Sequence, residues 1–414
     1  MPPSRPLRPS ARISGVCFAL SALSFVAGWI LLAIAAPDVE TFFYQPHVLA
    51  VTHTFTLGWI SLTMIGVLYQ FVPALTKQPI LWPRAAGVQV AMFAIGASGM
   101  VSHFWIGHLS GMVWSAGMVI VSVYLLAAQL IPSLLRAPQF DATVVGILAA
   151  LVYFVATATL GMLYAIDKVH PFLGGSVLSN IAGHADLGLL GWITLTICAV
   201  SYRMLAAFVL PEVLFPDAAR RQVVALIALV PVLLIALLLR SRMAGWVAML
   251  VAAAMGWYAV IVWRLLRTHR MPLDWSVAHV LAALLHLGAA VACGIALLFF
   301  VDPDSALGNR VVVAFGLFAL VGWISNYIIG MAARMAPGLI GKGGQPLLGN
   351  TARGVVFMLL NGGMLAVVIA VVVGSAMALR GATLLPLTAG LLFGGALVRR
   401  LAASAPASAH RPAV

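Results

Sequence analysis

Two histidines of this chain stand near the start of two similar segments, where they could bind a metal cofactor. His53 precedes a Gly-Trp pair at Gly58 by five residues, and His184 precedes another at Gly191 by seven. Neutral imidazole is a common ligand of haem iron and of copper. Imidazoles delivered at a similar depth by equivalent helices could hold one cofactor between them. The alternative is that each is an interfacial residue bonded to a backbone carbonyl or to water.

Three of the other histidines are further candidates for cofactor binding. His286 falls near the middle of a long apolar run, and His47 and His103 fall near the ends of two others. An ionisable group inside a bilayer is costly, so each one indicates a function by default. The alternative for His286 is a core histidine, and for the other two an interfacial position.

Two more polar residues in the His184 segment are candidates for a proton path. Asp186 lies two residues after His184 and is predicted either to orient an imidazole or to carry protons, together with Tyr202 further along. An acid in the first turn of a helix, favoured by the helix dipole, is the alternative for Asp186. An aromatic belt at the membrane interface is the alternative for Tyr202.

The composition indicates that these residues lie in a membrane. Of the 414 residues, 63% are apolar and 8% are charged, against about 25% charged in soluble domains. This excludes a soluble enzyme, a disordered protein and a nucleic-acid partner, since the 23 basic residues are scattered over short loops. The three cysteines form no CxxC pattern, which argues against disulfides, a zinc knuckle and a covalently attached haem.

Apolar runs long enough to cross a bilayer recur along the whole chain. Twelve spans are predicted, at 13–36, 47–75, 85–107, 109–132, 143–166, 183–210, 220–239, 244–266, 277–301, 310–333, 351–374 and 379–400. Most Lys and Arg residues fall on one side if both termini are cytoplasmic. The prediction is therefore a multi-pass protein of a bacterial inner membrane, with a single membrane domain at 13–400 between cytoplasmic tails at 1–12 and 401–414.

A repeat divides the twelve spans into three groups. Gly-Trp-Ile occurs at Gly58, Gly191 and Gly322, at intervals of 133 and 131 residues, each time in the second span of a group of four. Four crossings return the chain to the same side, so the groups are parallel. The fold class predicted is an all-α polytopic membrane protein with three four-helix units, at about 13–135, 143–266 and 277–400, around a pseudo-threefold axis.

This architecture and its motifs resemble subunit I of the haem-copper oxidase superfamily. His53 with the following LGWISLTMIGVLYQFVPAL looks like the second helix of that family, whose histidine binds the low-spin haem. His184 looks like the sixth-helix histidine that binds copper. In size and plan the chain is also similar to the NnrS-like branch, relatives implicated in nitric-oxide stress.

The chain departs from the oxidase pattern where a haem-copper centre needs further histidines. The seventh span contains no histidine for copper, and the tenth contains none for the haems; Phe315 and Leu317 stand at the repeat equivalents of His184 and His53. The resemblance therefore implies haem b held by histidines of the outer half, and argues against copper.

Three hypotheses of function follow. The first is a haem-binding membrane protein in respiratory electron transfer or in nitric-oxide or oxygen handling, with a redox partner or other respiratory subunits; whether it is itself an oxidoreductase stays open. The second is a haem-free transporter or pore on the same scaffold. The third is a structural subunit of a respiratory complex.

Overall fold

The structure is a computed structural model that describes residues 11–207, 215–268, 274–302, 305–339 and 347–403. Within these residues, twelve helices are long and apolar enough to cross a membrane, which confirms the predicted number. The predicted tails lie largely outside the described residues, as do 208–210 at the end of predicted span 6. The spans are Arg12–Ile34, Pro46–Thr76, Pro83–Ile106, Leu109–Leu135, Ala142–Val169, Val177–Leu205, Pro216–Leu238, Met243–Arg267, Trp275–Phe299, Ala306–Ala332, Asn350–Val373 and Ala376–Ala402, numbered 1 to 12 below.

The spans form a closed ring in which each packs against the next and span 12 packs against span 1. In each group of four, the first span also contacts the third, so spans 1 and 3, 5 and 7, and 9 and 11 touch. The same contacts recurring three times confirm the three parallel four-helix units. We call the end of the bundle at which spans 2, 6 and 10 begin the histidine end.

A local distortion of the helix marks the repeat in the backbone. Spans 2, 6 and 10 each contain a stretch of π-helix, at Thr54–Ser61, Leu187–Thr194 and Leu317–Ser325. Such widened turns are rare, and they occur mostly at functional sites. Their presence at three equivalent positions shows that the Gly-Trp-Ile repeat reflects one structural unit used three times.

The glycine of each repeat lets two helices approach closely. A Cβ atom at Gly58 would lie 2.7 Å from Ser24, and one at Gly191 would lie 2.7 Å from Tyr153. At Gly322 it would lie 2.6 Å from the ring of His286. In every unit the neighbour belongs to the preceding span, so a larger residue would push the first and second spans of the unit apart.

The tryptophans of the repeat join the three inner spans around the axis. Trp59 Nε1 donates to Ser325 Oγ at 2.8 Å, and Trp192 Nε1 donates to Ser61 Oγ at 3.0 Å. The acceptor in each case is the hydroxyl two residues after the tryptophan of another unit. The cyclic order would next link Trp323 to Thr194. Both of these side-chain groups are buried, but neither has a hydrogen-bond partner among the described residues.

This difference between the three tryptophans predicts unequal effects of the same substitution. Trp59→Phe and Trp192→Phe should each lose one buried hydrogen bond, whereas Trp323 forms none among the described residues. The first two variants should therefore lose about 1 kcal/mol more of the free energy of unfolding than Trp323→Phe. All three remove the same volume, so Trp323→Phe is the matched control. The measurement is the free energy of unfolding in mixed micelles. Equal losses of unfolding free energy in the three variants would contradict the hydrogen bonds assigned to Trp59 and Trp192.

On the side of the tryptophans away from the histidine end, spans 1, 2, 6, 10 and 12 line a partly open apolar cavity of about 110 Å³. Its wall includes one layer of equivalent positions, Thr63, Thr196 and Tyr327. The two threonine hydroxyls donate to carbonyl oxygens of their own helices, Thr63 to Trp59 and Thr196 to Trp192, both at 2.7 Å. Their donor hydrogens are therefore already used, and the cavity offers few polar groups to a guest.

Candidate cofactor site

His53 and His184 lie in one region at the histidine end, between spans 2, 3, 5 and 6. The His53 ring stacks on Phe104 of span 3, with ring centroids 5.1 Å apart. The His184 ring meets the edge of Tyr164 of span 5 at 6.0 Å. Each ring therefore packs against a neighbouring span of its own unit, and both histidines remain partly exposed.

The hydrogen bonds of the two rings suit them to bind a metal. His53 Nδ1 lies 2.8 Å from the carbonyl oxygen of Leu49; a carbonyl only accepts, so Nδ1 carries the proton and Nε2 keeps its lone pair. Ligating histidines are usually held in this way. His184 Nδ1 is buried without a hydrogen bond among the described residues, and the ring lies beside the backbone of Thr157. A buried, unsatisfied nitrogen is destabilising unless a ligand completes it.

Span 5 is recessed where it meets His184. A Cβ atom at Gly161 would lie 2.9 Å from His184 Cε1, so only glycine seats the ring without displacement. From residue 155 to residue 164 no residue of span 5 is fully buried, whereas residues 142–154 include eight buried ones. This part of span 5 is therefore less closely packed than the part before it.

Asp186 lies two residues after His184 but is not hydrogen-bonded to it. Both of its carboxylate oxygens are buried without a partner among the described residues, so no hydrogen bond joins it to His184. Gly183, one turn earlier on the same face, packs against Leu234 of span 7. Asp186 is the repeat equivalent of His53, 133 residues on, and it occupies in the second unit the place that His53 occupies in the first.

The remaining predicted residues are separate from His53 and His184. His47 Nδ1 contacts Asp38 Oδ2 at 2.9 Å and its Nε2 contacts the carbonyl oxygen of Trp105 at 3.1 Å, so neither nitrogen is free for a metal. His103 Nδ1 contacts Ser115 Oγ at 3.0 Å.

Tyr202 lies at the other end of span 6 from His184, where it donates to Gln222 Oε1 at 2.9 Å. It is buried there rather than interfacial, with 2% of its surface exposed.

His286 belongs to a polar network that the sequence analysis did not recognise. Its Nε2 contacts Asn361 Oδ1 at 3.1 Å, and the amides of Asn361 and Asn326 bond each other reciprocally at 3.0 and 3.1 Å. His279 Nδ1 contacts Asn326 Oδ1 at 2.6 Å. We call His279, Asn326, Asn361 and His286 the amide network.

A signal for this network was present in the repeat. The positions equivalent to Asn326 in the first two units are Leu62 and Leu195. A polar residue in the third unit where the other two have leucine is not required by the scaffold. Comparing the repeats position by position would have found it, whereas a search limited to ionisable residues did not.

No three His, Cys, Asp or Glu side chains come together as a metal site in the part of the chain that the structure describes.

Comparison with known proteins identifies the fold. No family model and no curated protein matches the sequence. Among solved structures, the chain is similar to a cryo-EM structure of a haem-copper terminal oxidase dimer, with a TM-score of 0.67 and 13% identity over 95% of this chain and 84% of that one. The chain therefore has a haem-copper oxidase subunit I-like fold, as its motifs predicted.

Proposed function

We propose that this chain binds haem b at the histidine end, where His53 and His184 would hold the group. The observation that carries the proposal is the hydrogen bonding of the ring nitrogens of these two histidines. His53 is held through Nδ1 with its other nitrogen free, and the buried His184 Nδ1 has no partner among the described residues. The recess at Gly161 of span 5 accommodates the His184 ring.

The residues of the chain would position and shield the group. The carbonyl oxygen of Leu49 would orient His53 and make it a better ligand. Phe104 and Tyr164 would flank the two rings and limit access of water. Haem of this type supplies a one-electron redox centre or an iron that binds small gases.

The role that follows is respiratory electron transfer or the handling of nitric oxide or oxygen. The absence of histidine from spans 7 and 10 removes the residues that a haem-copper centre would need, so we assign no copper. The distribution of Lys and Arg supports cytoplasmic termini and a histidine end at the outer face of a bacterial inner membrane. A redox partner or another respiratory subunit would then approach from the outer side.

The test is the absorption spectrum of the purified protein after expression with a haem supply. We expect a Soret band and a pyridine haemochrome spectrum of b type, at about one haem per chain. A colourless protein that is folded by circular dichroism would contradict the proposal.

Asp186 favours a second candidate, a haem-free carrier on the same scaffold. Its two carboxylate oxygens are buried with no described partner, an arrangement expected of a group that binds and releases protons or cations inside a membrane. This role needs no pigment, so the two candidates are distinguished by the spectrum.

The carrier hypothesis predicts that Asp186→Asn abolishes proton or cation flux in liposomes, because the amide cannot take up and release a proton. The exposed Asp217 supplies the matched control, Asp217→Asn, which should leave the flux unchanged. Wild-type liposomes as tight as empty ones would exclude the carrier.

A further inference from the structure

The third unit differs from the other two at the end of the bundle opposite the histidine end. In the first unit Tyr69 donates to Gln89 Oε1 at 2.9 Å, and in the second Tyr202 donates to Gln222 Oε1 at 2.9 Å. The pairs are equivalent, because both residues are displaced by 133 positions. Each joins the second span of its unit to the third through a buried phenol and a buried amide.

The same repeat interval leads to a different pair of residues in the third unit. Moving on by 131 positions reaches Ala333 in place of the tyrosine and Arg353 in place of the glutamine. The phenol is lost, and a neutral amide is exchanged for a permanent positive charge. The scaffold does not need this exchange, since two of its three units do without it.

A small cavity borders Arg353. Its volume is about 10 Å³, room for one particle of about the size of a water molecule. Ser276 lines it and is 4% exposed, and its Oγ has no partner among the described residues. His279 forms another part of the wall and is already bonded through Nδ1 to Asn326. The cavity thus adjoins the amide network.

The charge of Arg353 is not matched by an acid in the described part of the chain. The ion pairs there join Arg203 to Asp141 and His47 to Asp38. Arg353 Nη2 contacts the amide oxygen of Asn350 at 3.4 Å, while its Nε is buried without a partner. A partly buried charge with an unsatisfied donor is costly unless an anion accompanies it.

We propose that this cavity binds a small monovalent inorganic anion, chloride in the cell, between Arg353 Nε and Ser276 Oγ. Both groups can donate a hydrogen bond to it, and the guanidinium neutralises its charge. Arg353 is only half-buried, so its side chain can adjust to an ion slightly larger than water. The volume excludes phosphate, sulfate and lipid headgroups. The site is independent of any haem.

The test measures the thermal midpoint of the full-length protein in detergent at constant ionic strength, with gluconate replaced by chloride, bromide or sulfate. We expect a saturable rise with chloride and bromide and none with sulfate. Arg353→Gln, which installs the residue of the other two units, should weaken the halide effect at least tenfold. Arg84→Gln, at an exposed arginine, should leave it unchanged.

A halide effect equal to that of sulfate, or one retained in Arg353→Gln, would overturn the proposal. If that variant does not fold, anomalous diffraction from the wild-type protein with bromide decides the matter. A bromine peak within hydrogen-bond distance of Arg353 Nε supports the site. A map without one there means that water fills the cavity.

Discussion

The His53→Ala variant is expected to lose the b-type absorption of the purified protein, with haem occupancy lowered at least tenfold. The reason is that the hydrogen bond from His53 Nδ1 to the carbonyl oxygen of Leu49 already orients the ring, so that Nε2 can bind a metal. Alanine removes both the ligand and the ring stacked on Phe104. The measurement is the Soret band with haem quantified as pyridine haemochrome.

His47→Ala is the matched control, six residues earlier in the same span. Both nitrogens of His47 are engaged, with Asp38 and with the carbonyl of Trp105, so its removal should leave the haem content unchanged. His53→Gly with added imidazole separates a lost ligand from a misfolded protein. Recovery of the absorption by imidazole would show that the site remains and only its ligand was missing.

His184→Ala tests the second histidine of the candidate site. We expect haem to remain partly bound through His53, but with a spectrum typical of five-coordinate iron. Gly161→Leu should have a similar effect, because its side chain would occupy the space of the His184 ring. Retention of an unchanged six-coordinate spectrum in both variants would show that His184 is not a ligand.

The second large effect is expected from Asn326→Leu, which copies the leucines of the first two units at this position. Asn326 is completely buried. Its loss would leave His279 Nδ1 without its partner and would remove both hydrogen bonds between the two amides. Asn361 would keep its contacts with the carbonyl oxygen of Phe357 and with His286. A stranded buried group costs about 1–3 kcal/mol, so we expect a loss of about that size in the free energy of unfolding, although leucine suits the equivalent sites.

The double variant Asn326→Leu/Asn361→Ala controls for the change in volume. Alanine stands at the equivalent of Asn361 in the first unit, at Ala97. Each single variant already loses both hydrogen bonds between the two amides, so the double variant should lose at least about 1 kcal/mol less than the two single losses added together. Strict additivity would show that the reciprocal bond between the amides contributes nothing.

Much of the fold could be predicted from the residues in order along the chain. A span needs about 20 apolar residues whatever packs against it, and this local requirement identified all twelve. The Gly-Trp-Ile repeat could also be recognised, because two helices approach each other closely at Gly58, Gly191 and Gly322 and only a small residue fits there. These features depend on the sequence near each position, so they can be predicted without knowing which helices pack together.

The candidate site could not be predicted in the same way, because it depends on which spans become neighbours in the folded protein. That His53 has a free nitrogen and His184 an unsatisfied one follows from the groups that surround each ring, and these belong to spans 3 and 5 as well as to the histidines' own helices. The amide network likewise joins spans 9, 10 and 11. The exchange of leucine for Asn326 could be read from the repeat, but the partners of its hydrogen bonds could not, because their geometry exists only once the helices have packed.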